Sequence, residues 1–352
     1  MKFDQERPAK PAGGQEAISY AGLPLAIGVP VRNEVQRLPR LLDALRAQHG
    51  APCFSLCLFF DGCTDGSAEL VASLAPGLPF PVITEACADA ASPNAGRARA
   101  RAMRLAMAAA PAGLILTTDA DSAPDSHWVA ANCAALAEAD IVAGRITRDA
   151  TADHQHHVSR YFDRLHGLRR SLDPVPWEDM HSHHWGSGAS LGFRAPVYRA
   201  LGGFPELPSG EDAAMIDAAM RGGYRVRRDA RVEVRTSSRR DGRAPVGFAT
   251  ALAHFDAADR LPEVTHPDDD AWRFAMQAEA RAAFERDDVR SLAPTLRLCE
   301  DELLRTAAAS VNGEAFAARI VGAPPNGMRL VSLDHAEALL AARAPAFLAG
   351  AA

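Results

Sequence analysis

Short apolar runs alternate along the first part of the chain with segments whose apolar residues recur at helical spacing. Leu23 to Val29 is the first run. Leu38, Leu41, Leu42 and Leu45 then mark one face of a helix, with Pro39 at its start and Gly50 just past its end. Phe54 to Phe60 repeats the strand, and Leu70, Val71 and Leu74 repeat the helix. A third run, Phe80 to Thr84, leads through a polar loop to Asn94-Ala95-Gly96 and an Ala- and Arg-rich helix, after which the run from Leu114 forms a further strand. Strands and helices alternating at these lengths predict an α/β domain on a parallel sheet with right-handed crossovers. The strand ends carrying Asn33, Asp61 and Asp121 then share one edge, where ligands of such sheets bind.

Acids stand at that edge. Asp119 and Asp121 follow the Leu114 strand, and side chains at i and i+2 of an extended segment point the same way, so the pair can converge on one cation or one polyhydroxyl ligand. Alternatively Asp121-Ser122 caps the helix after Pro124. Alternation continues through Ile141 to Ile146 and breaks between Asp153 and Trp185, where Asp173 to Trp185 reads as a long functional or mobile loop. Gly186 to Ser190 is a stretch of small residues that admits either a ligand or a packed element. Glu211 and Asp212 open a helix marked by Met215, Ile216, Ala219 and Met220 and closed by Gly222-Gly223. Acids there gain about 0.3 to 1 kcal/mol from the helix dipole, and Ser209 with Asp212 reads as a capping arrangement.

Composition narrows the chemistry. With 352 residues, 48% of them apolar, and a net charge of −6, the chain suits one large domain plus an appendage, or two domains. No apolar run approaches the roughly 18 to 20 residues that span a bilayer, and Met1 to Gln15 lacks an apolar signal region, so a cytoplasmic place is expected. Lysine occurs only at Lys2 and Lys10, which excludes P-loop and Schiff-base lysine chemistry. No basic run is interleaved with aromatics, which argues against a nucleic-acid groove. The cysteines are scattered without a CxxC pair and read as reduced core residues. His154, His156, His157 and His181, His183, His184 form two clusters that could hold zinc, but their polar flanks suit solvated loops. Trp185, beside His183 and His184, can stack on a sugar ring or another flat apolar face of an acceptor, or the three residues serve ordinary loop packing.

The order Pro30-Val31-Arg32-Asn33-Glu34, Asp61-Gly62-Cys63-Thr64-Asp65, Asn94-Ala95-Gly96 leading to Ala100-Arg101, Asp119-Ala120-Asp121, Gly202-Gly203-Phe204 and Glu211-Asp212 resembles the family 2 glycosyltransferases of GT-A fold. The resemblance covers about Leu23 to Val234. It departs from the family in having Phe60 before a single Asp61, where two adjacent aspartates are usual, and in lacking the Gln-x-x-Arg-Trp motif of processive synthases. The first leaves the nucleobase open; the second argues for transfer of single sugars.

The resemblance implies a GT-A Rossmann-like nucleotide-diphospho-sugar transferase fold with a C-terminal helical appendage. It divides the chain into a disordered leader (1–20), the GT-A domain (21–260) and a helical extension (261–352). It further implies that Asp61 reads the nucleobase, commonly uracil, and that the loop from Pro30 to Glu34 borders the nucleoside. Arg101 would steady Asp61 or the donor, although Ala102 stands where asparagine is usual. Asp119 would face the ribose and, with Asp121, hold Mg²⁺ or Mn²⁺ against the diphosphate. Asp212 would be the general base of an inverting displacement, and Arg239 or Arg240 would clamp the diphosphate. A nucleotide sugar, first a UDP-sugar, is the expected donor, and a lipid carrier, a glycan or a small metabolite the acceptor. A non-catalytic nucleotide-sugar-binding or scaffold protein is the alternative. A sugar-nucleotidyl transferase would share the sheet but needs a Gly-rich, lysine-containing loop, which Pro30 to Arg40 lacks.

Overall fold

The computed structural model describes residues 22–87, 94–149, 153–178, 182–238 and 261–348. The expected strand-helix alternation forms β1 (Leu25–Val31), α1 (Leu38–Arg46), β2 (Ser55–Asp61), α2 (Ser67–Leu74), β3 (Val82–Cys87), α3 (Ala95–Ala109) and β4 (Leu114–Thr118). After it come β5 (Ser122–Pro124), α4 (Trp128–Glu138), β6 (Ile141–Arg148), α5 (Asp153–Leu172), β7 (Ser190–Arg194), α6 (Ala195–Ala200), α7 (Glu211–Arg221) and β8 (Val226–Thr236). One eight-stranded sheet runs in the order β3-β2-β1-β4-β7-β6-β8-β5. Its β3-β2-β1-β4 half is parallel.

The other half is mixed, with β6 and β8 parallel. β7 runs antiparallel to both β4 and β6, and β5 runs antiparallel to β8. The edge strand also lies later than expected, at Val82–Cys87, and its side chains are mostly exposed.

Neighbouring residues on a strand serve opposite faces. Ile27, Leu56 and Leu116 pack with Leu38, Leu41 and Leu45 of α1 and Trp128 of α4 on one face. Ala26, Cys57 and Ile115 pack with Met103 and Ala106 of α3 and Met215 and Ala219 of α7 on the other. Helices on both faces leave the carboxyl ends of β1, β2 and β4 open at one edge.

Beyond residue 260, β9 (Glu263–Thr265) pairs antiparallel with β10 (Leu330–Ser332), and the rest is largely helical. Helix α8 (Pro267–Glu285) shares a core with α5 and the helix Leu333–Leu348, in which Tyr161, Leu165 and Leu168 meet Phe274, Leu333 and Leu340. Its later turns pack Met276 and Ala280 against Phe316 of the helix Gly313–Ile320, which also touches α7. Among the described residues, no helix is long and apolar enough to cross a membrane.

Candidate active site

β1 and β2 end beside each other, and the loops that follow are stitched together. Asn33 has positive φ, its side chain accepts the Thr64 N–H at 2.8 Å, and Asp65 accepts the Val35 N–H at 2.9 Å. Burial would raise the Asp65 pKa, but bonds from Ser67 and from Val35 hold it below the ordinary value. Asp61, 2% exposed, closes β2, and Arg32 donates to its Oδ2 at 2.9 Å. Arg97 of α3 lies 3.6 Å from its Oδ1. Pro30 lies in β1 opposite Phe59. Glu34 is buried, its backbone N–H donates to Ser67 Oγ, and its carbonyl accepts the amides that open α1.

Helix α3 delivers the central cation. Asn94 caps it by accepting the Arg97 N–H, and Gly96 is needed because a Cβ there would strike the carbonyl of Pro205 in the crossing loop. Arg99, 6% exposed, donates from Nη2 to Asp119 Oδ1 at 2.9 Å and from Nε to Glu211 Oε1 at 3.0 Å. Its Nη1 reaches Thr117 Oγ1 at 3.2 Å and the Gly188 carbonyl at 2.9 Å. Burial opposes the charge on Arg99, but Asp119 and Glu211 overcome it and raise the pKa above the ordinary value. Gly188 in turn donates its N–H to Asp212 Oδ2 at 3.0 Å. The capping reading of Asp212 therefore fails. α7 begins at Gly210 in a left-handed conformation with no side-chain cap, and Asp212 is engaged with the Gly188 loop and the adjacent Ala213 N–H.

Asp121 is not a helix cap either. α4 starts several residues later with no side-chain cap, and Asp121-Ser122 leads into β5. The Asp121 carboxylate is buried and accepts from Ser237 Oγ at 2.6 Å and Thr236 Oγ1 at 3.3 Å at the end of β8.

Among the described residues, no three His, Cys, Asp or Glu side chains form a group that could hold an ion unaided. The oxygens around Asp121 are hard donors, and such a set suits Mg²⁺ or Mn²⁺ when substrate phosphates complete the coordination. Asp119 gives one oxygen to the Arg99 cation, whereas the Asp121 oxygens accept from the neutral hydroxyls Ser237 Oγ and Thr236 Oγ1.

Arg101 lies beside Glu85 and not beside Asp61. Its side chain is 44% exposed and lies 3.8 Å from Glu85, which also pairs with Arg104. Arg97 takes the place beside Asp61 that the resemblance gave to Arg101: the two share a face of α3, but Arg101 lies about 6 Å farther along the helix, level with Glu85. Arg99, Arg97 and Arg32 were missed in the sequence. For Arg99 a signal existed: Ala102, Met103 and Ala106, three, four and seven residues on, are buried with it.

The histidines are spread over different contacts. His157 Nε2 meets Glu337 at 2.5 Å. His183 is buried, and its Nδ1 accepts the Trp185 N–H at 3.0 Å. His184 binds Asp163 at 2.8 Å and lies 4.5 Å from the Trp185 ring. Side chains of His154 and His181, with Arg239 and Arg240, lie outside the described residues.

The sequence model described as "Glycosyl transferase family 2" matches residues 26–191. The structure is similar to the crystal structure of S. aureus TarS 1-349 in complex with UDP-GlcNAc, with a TM-score of 0.50 and 16% identity over 85% of this chain and 82% of that one. It is also similar to the mannosyltransferase PcManGT from Pyrobaculum calidifontis in complex with GDP-Man and Mn²⁺, with a TM-score of 0.47 and 17% identity over 84% of this chain and 85% of that one. Likeness at such identities extends to the fold alone. No curated protein matches the chain.

Proposed function

We propose that the chain, whose residues 26–191 match the model of glycosyl transferase family 2, is a glycosyltransferase that transfers a single sugar from a nucleotide diphosphate sugar to an acceptor hydroxyl with inversion. One observation supports the reading above others. Acids from the end of β2, the end of β4 and the start of α7 are tied to neighbouring arginines of α3: Asp61 lies beside Arg97, Asp119 and Glu211 bind Arg99, and Asp212 joins through Gly188.

Each acid then has a task. Asp61, backed by Arg32 and Arg97, accepts hydrogen bonds from the nucleobase, with uracil the first candidate, while Pro30 to Glu34 border the nucleoside. Asp119 faces the ribose. The Asp212 carboxylate accepts the acceptor's hydroxyl proton as that oxygen attacks the anomeric carbon, and the bond from this carbon to the diphosphate oxygen breaks on the opposite face. One displacement with one base inverts the anomeric centre. Asp121, with Asp119 beside it, would hold Mg²⁺ or Mn²⁺, which would supply Lewis acidity to the departing diphosphate.

The test is a thermal-shift screen of UDP, UDP-GlcNAc and GDP-Man with and without Mn²⁺, because a ligand that binds only the folded state raises the melting temperature. UDP or its sugar should stabilise the protein in a metal-dependent way. Asp212→Asn should keep that shift and lose turnover by about a hundredfold or more, the usual scale for a general base. No shift with any nucleotide, or full turnover by Asp212→Asn, overturns the assignment.

A further inference from the structure

Arg99 is the most connected side chain of the site, and the roles proposed above make no use of it. It is buried, yet it reaches the ends of β4, the Gly188 loop and α7 together. A single planar guanidinium makes this possible, because its N–H groups form a rigid fork that a lysine ammonium cannot copy. Gly188 lies between Arg99 and the base. Its carbonyl accepts from Arg99 Nη1 at 2.9 Å, and its N–H donates to Asp212 Oδ2 at 3.0 Å. A Cβ at Gly188 would stand 2.5 Å from Arg99 Cζ, so the guanidinium occupies the space a side chain would need. Glu211, next in sequence to Asp212, is held by Nε of the same arginine at 3.0 Å. The base is therefore held from two directions, through the loop that bonds its carboxylate and through the preceding residue of its own helix.

We infer that Arg99 is the positioning residue of this site: through Gly188 and Glu211 it sets the orientation of the Asp212 carboxylate, and through Asp119 it fixes that orientation relative to the bound donor. The inference rests on the assignment of Asp212 as base. It extends that assignment to a group that touches neither reacting oxygen nor sugar. A base set a fraction of an ångström off line costs turnover while leaving the binding surfaces in place.

Arg99→Lys keeps the charge and the volume but loses the fork, and Gly188→Ala displaces the fork without touching any acid. Both are compared with wild type for release of the nucleoside diphosphate, UDP or GDP, from whichever of UDP-GlcNAc and GDP-Man is turned over, at saturating donor. Donor affinity is read separately by calorimetry, and folding by urea unfolding. Both variants should fold, bind donor within a few fold of wild type and lose turnover by about a hundredfold. Adding Arg99→Lys to Asp212→Asn should then cost little further, because two residues that act through one function are not additive. A loss of the same factor with and without Asp212, or one explained wholly by weaker donor binding, overturns the positioning role. Full turnover by Asp212→Asn alone is a different result, and it overturns the base assignment itself. If Arg99→Lys does not fold, Gly188→Ala and its combination with Asp212→Asn give the same comparison.

Discussion

Arginines 97, 99, 101 and 104 follow one another along α3 and reach different acids: Arg97 approaches Asp61, Arg99 binds Asp119 and Glu211, and Arg101 and Arg104 meet Glu85. The acids of the site were legible in the sequence because an acid at the end of an apolar run is conspicuous. Their basic partners were not, because four arginines in one helix look alike until the buried face is chosen. Position within the helix decides what each is worth. An exposed pair such as Arg101 with Glu85 contributes about 0 to 1 kcal/mol, so Arg101→Ala should leave melting temperature and donor affinity near wild type. Arg97→Ala should weaken donor affinity roughly tenfold, since it removes one cation from a carboxylate that is 2% exposed. Calorimetric titration with the nucleotide sugar checks the pair. Equal effects of the two substitutions would return Arg101 to the role the resemblance gave it.

At the scale of elements, the segment from α5 to β7 was the least readable, and it holds the buried histidines. The polar flanks of the second cluster suggested a solvated loop, yet its His183 is 1% exposed; His166 of α5, 7% exposed, bonds Ser182 of that loop, which in turn bonds the Arg228 carbonyl of β8. Burial, Arg228 and Arg145 push the His183 pKa down to about 3, with His184 adding to this and Asp163 opposing it. His166 is pushed down to about 2 by burial and by Arg228 and Arg169. Both imidazoles are neutral in the fold, whereas in the unfolded chain they take up a proton near the ordinary histidine value of about 6.5. The unfolded chain therefore binds more protons below that value. The stability linked to His183 is complete above about pH 6.5 and is lost as pH falls toward 3, at about 1.4 kcal/mol per unit. His183→Asn keeps an acceptor for the Trp185 N–H but does not titrate there. Urea unfolding between pH 4 and 7 should show its acid slope shallower than wild type by about one proton. An unchanged slope would mean that His183 is solvated in the folded protein.

For the molecule as a whole, the parallel half of the sheet was readable because each of its strands is joined to the next through a periodic helix. The mixed half was not. β5 is only Ser122–Pro124, too short to carry a pattern, and β7 lies among small residues whose alternation is silent on direction. Nor does periodicity say how far residues 261–348 are independent of the sheet. Tyr161 is fully buried in a core shared between α5 and the C-terminal helices, and Leu165 and Leu168 lie with it. Asp173, 2% exposed, pairs with Arg281 of α8, whose pKa burial pushes down despite Glu314. Each large apolar side chain re-exposed costs about 1.5 to 3 kcal/mol, and removing one member of a buried ion pair about 3 to 5 kcal/mol. A whole domain has only about 5 to 15 kcal/mol to lose. A chain ending at Arg260 should therefore lose cooperative unfolding altogether, whereas Arg281→Met in the full chain should lower stability by about 3 kcal/mol and leave the fold intact. Urea titration followed by far-ultraviolet dichroism distinguishes the outcomes. If residues 1–260 unfold cooperatively near the wild-type midpoint, the C-terminal helices are a detachable appendage, and the core around Tyr161 contributes little to holding the sheet domain together.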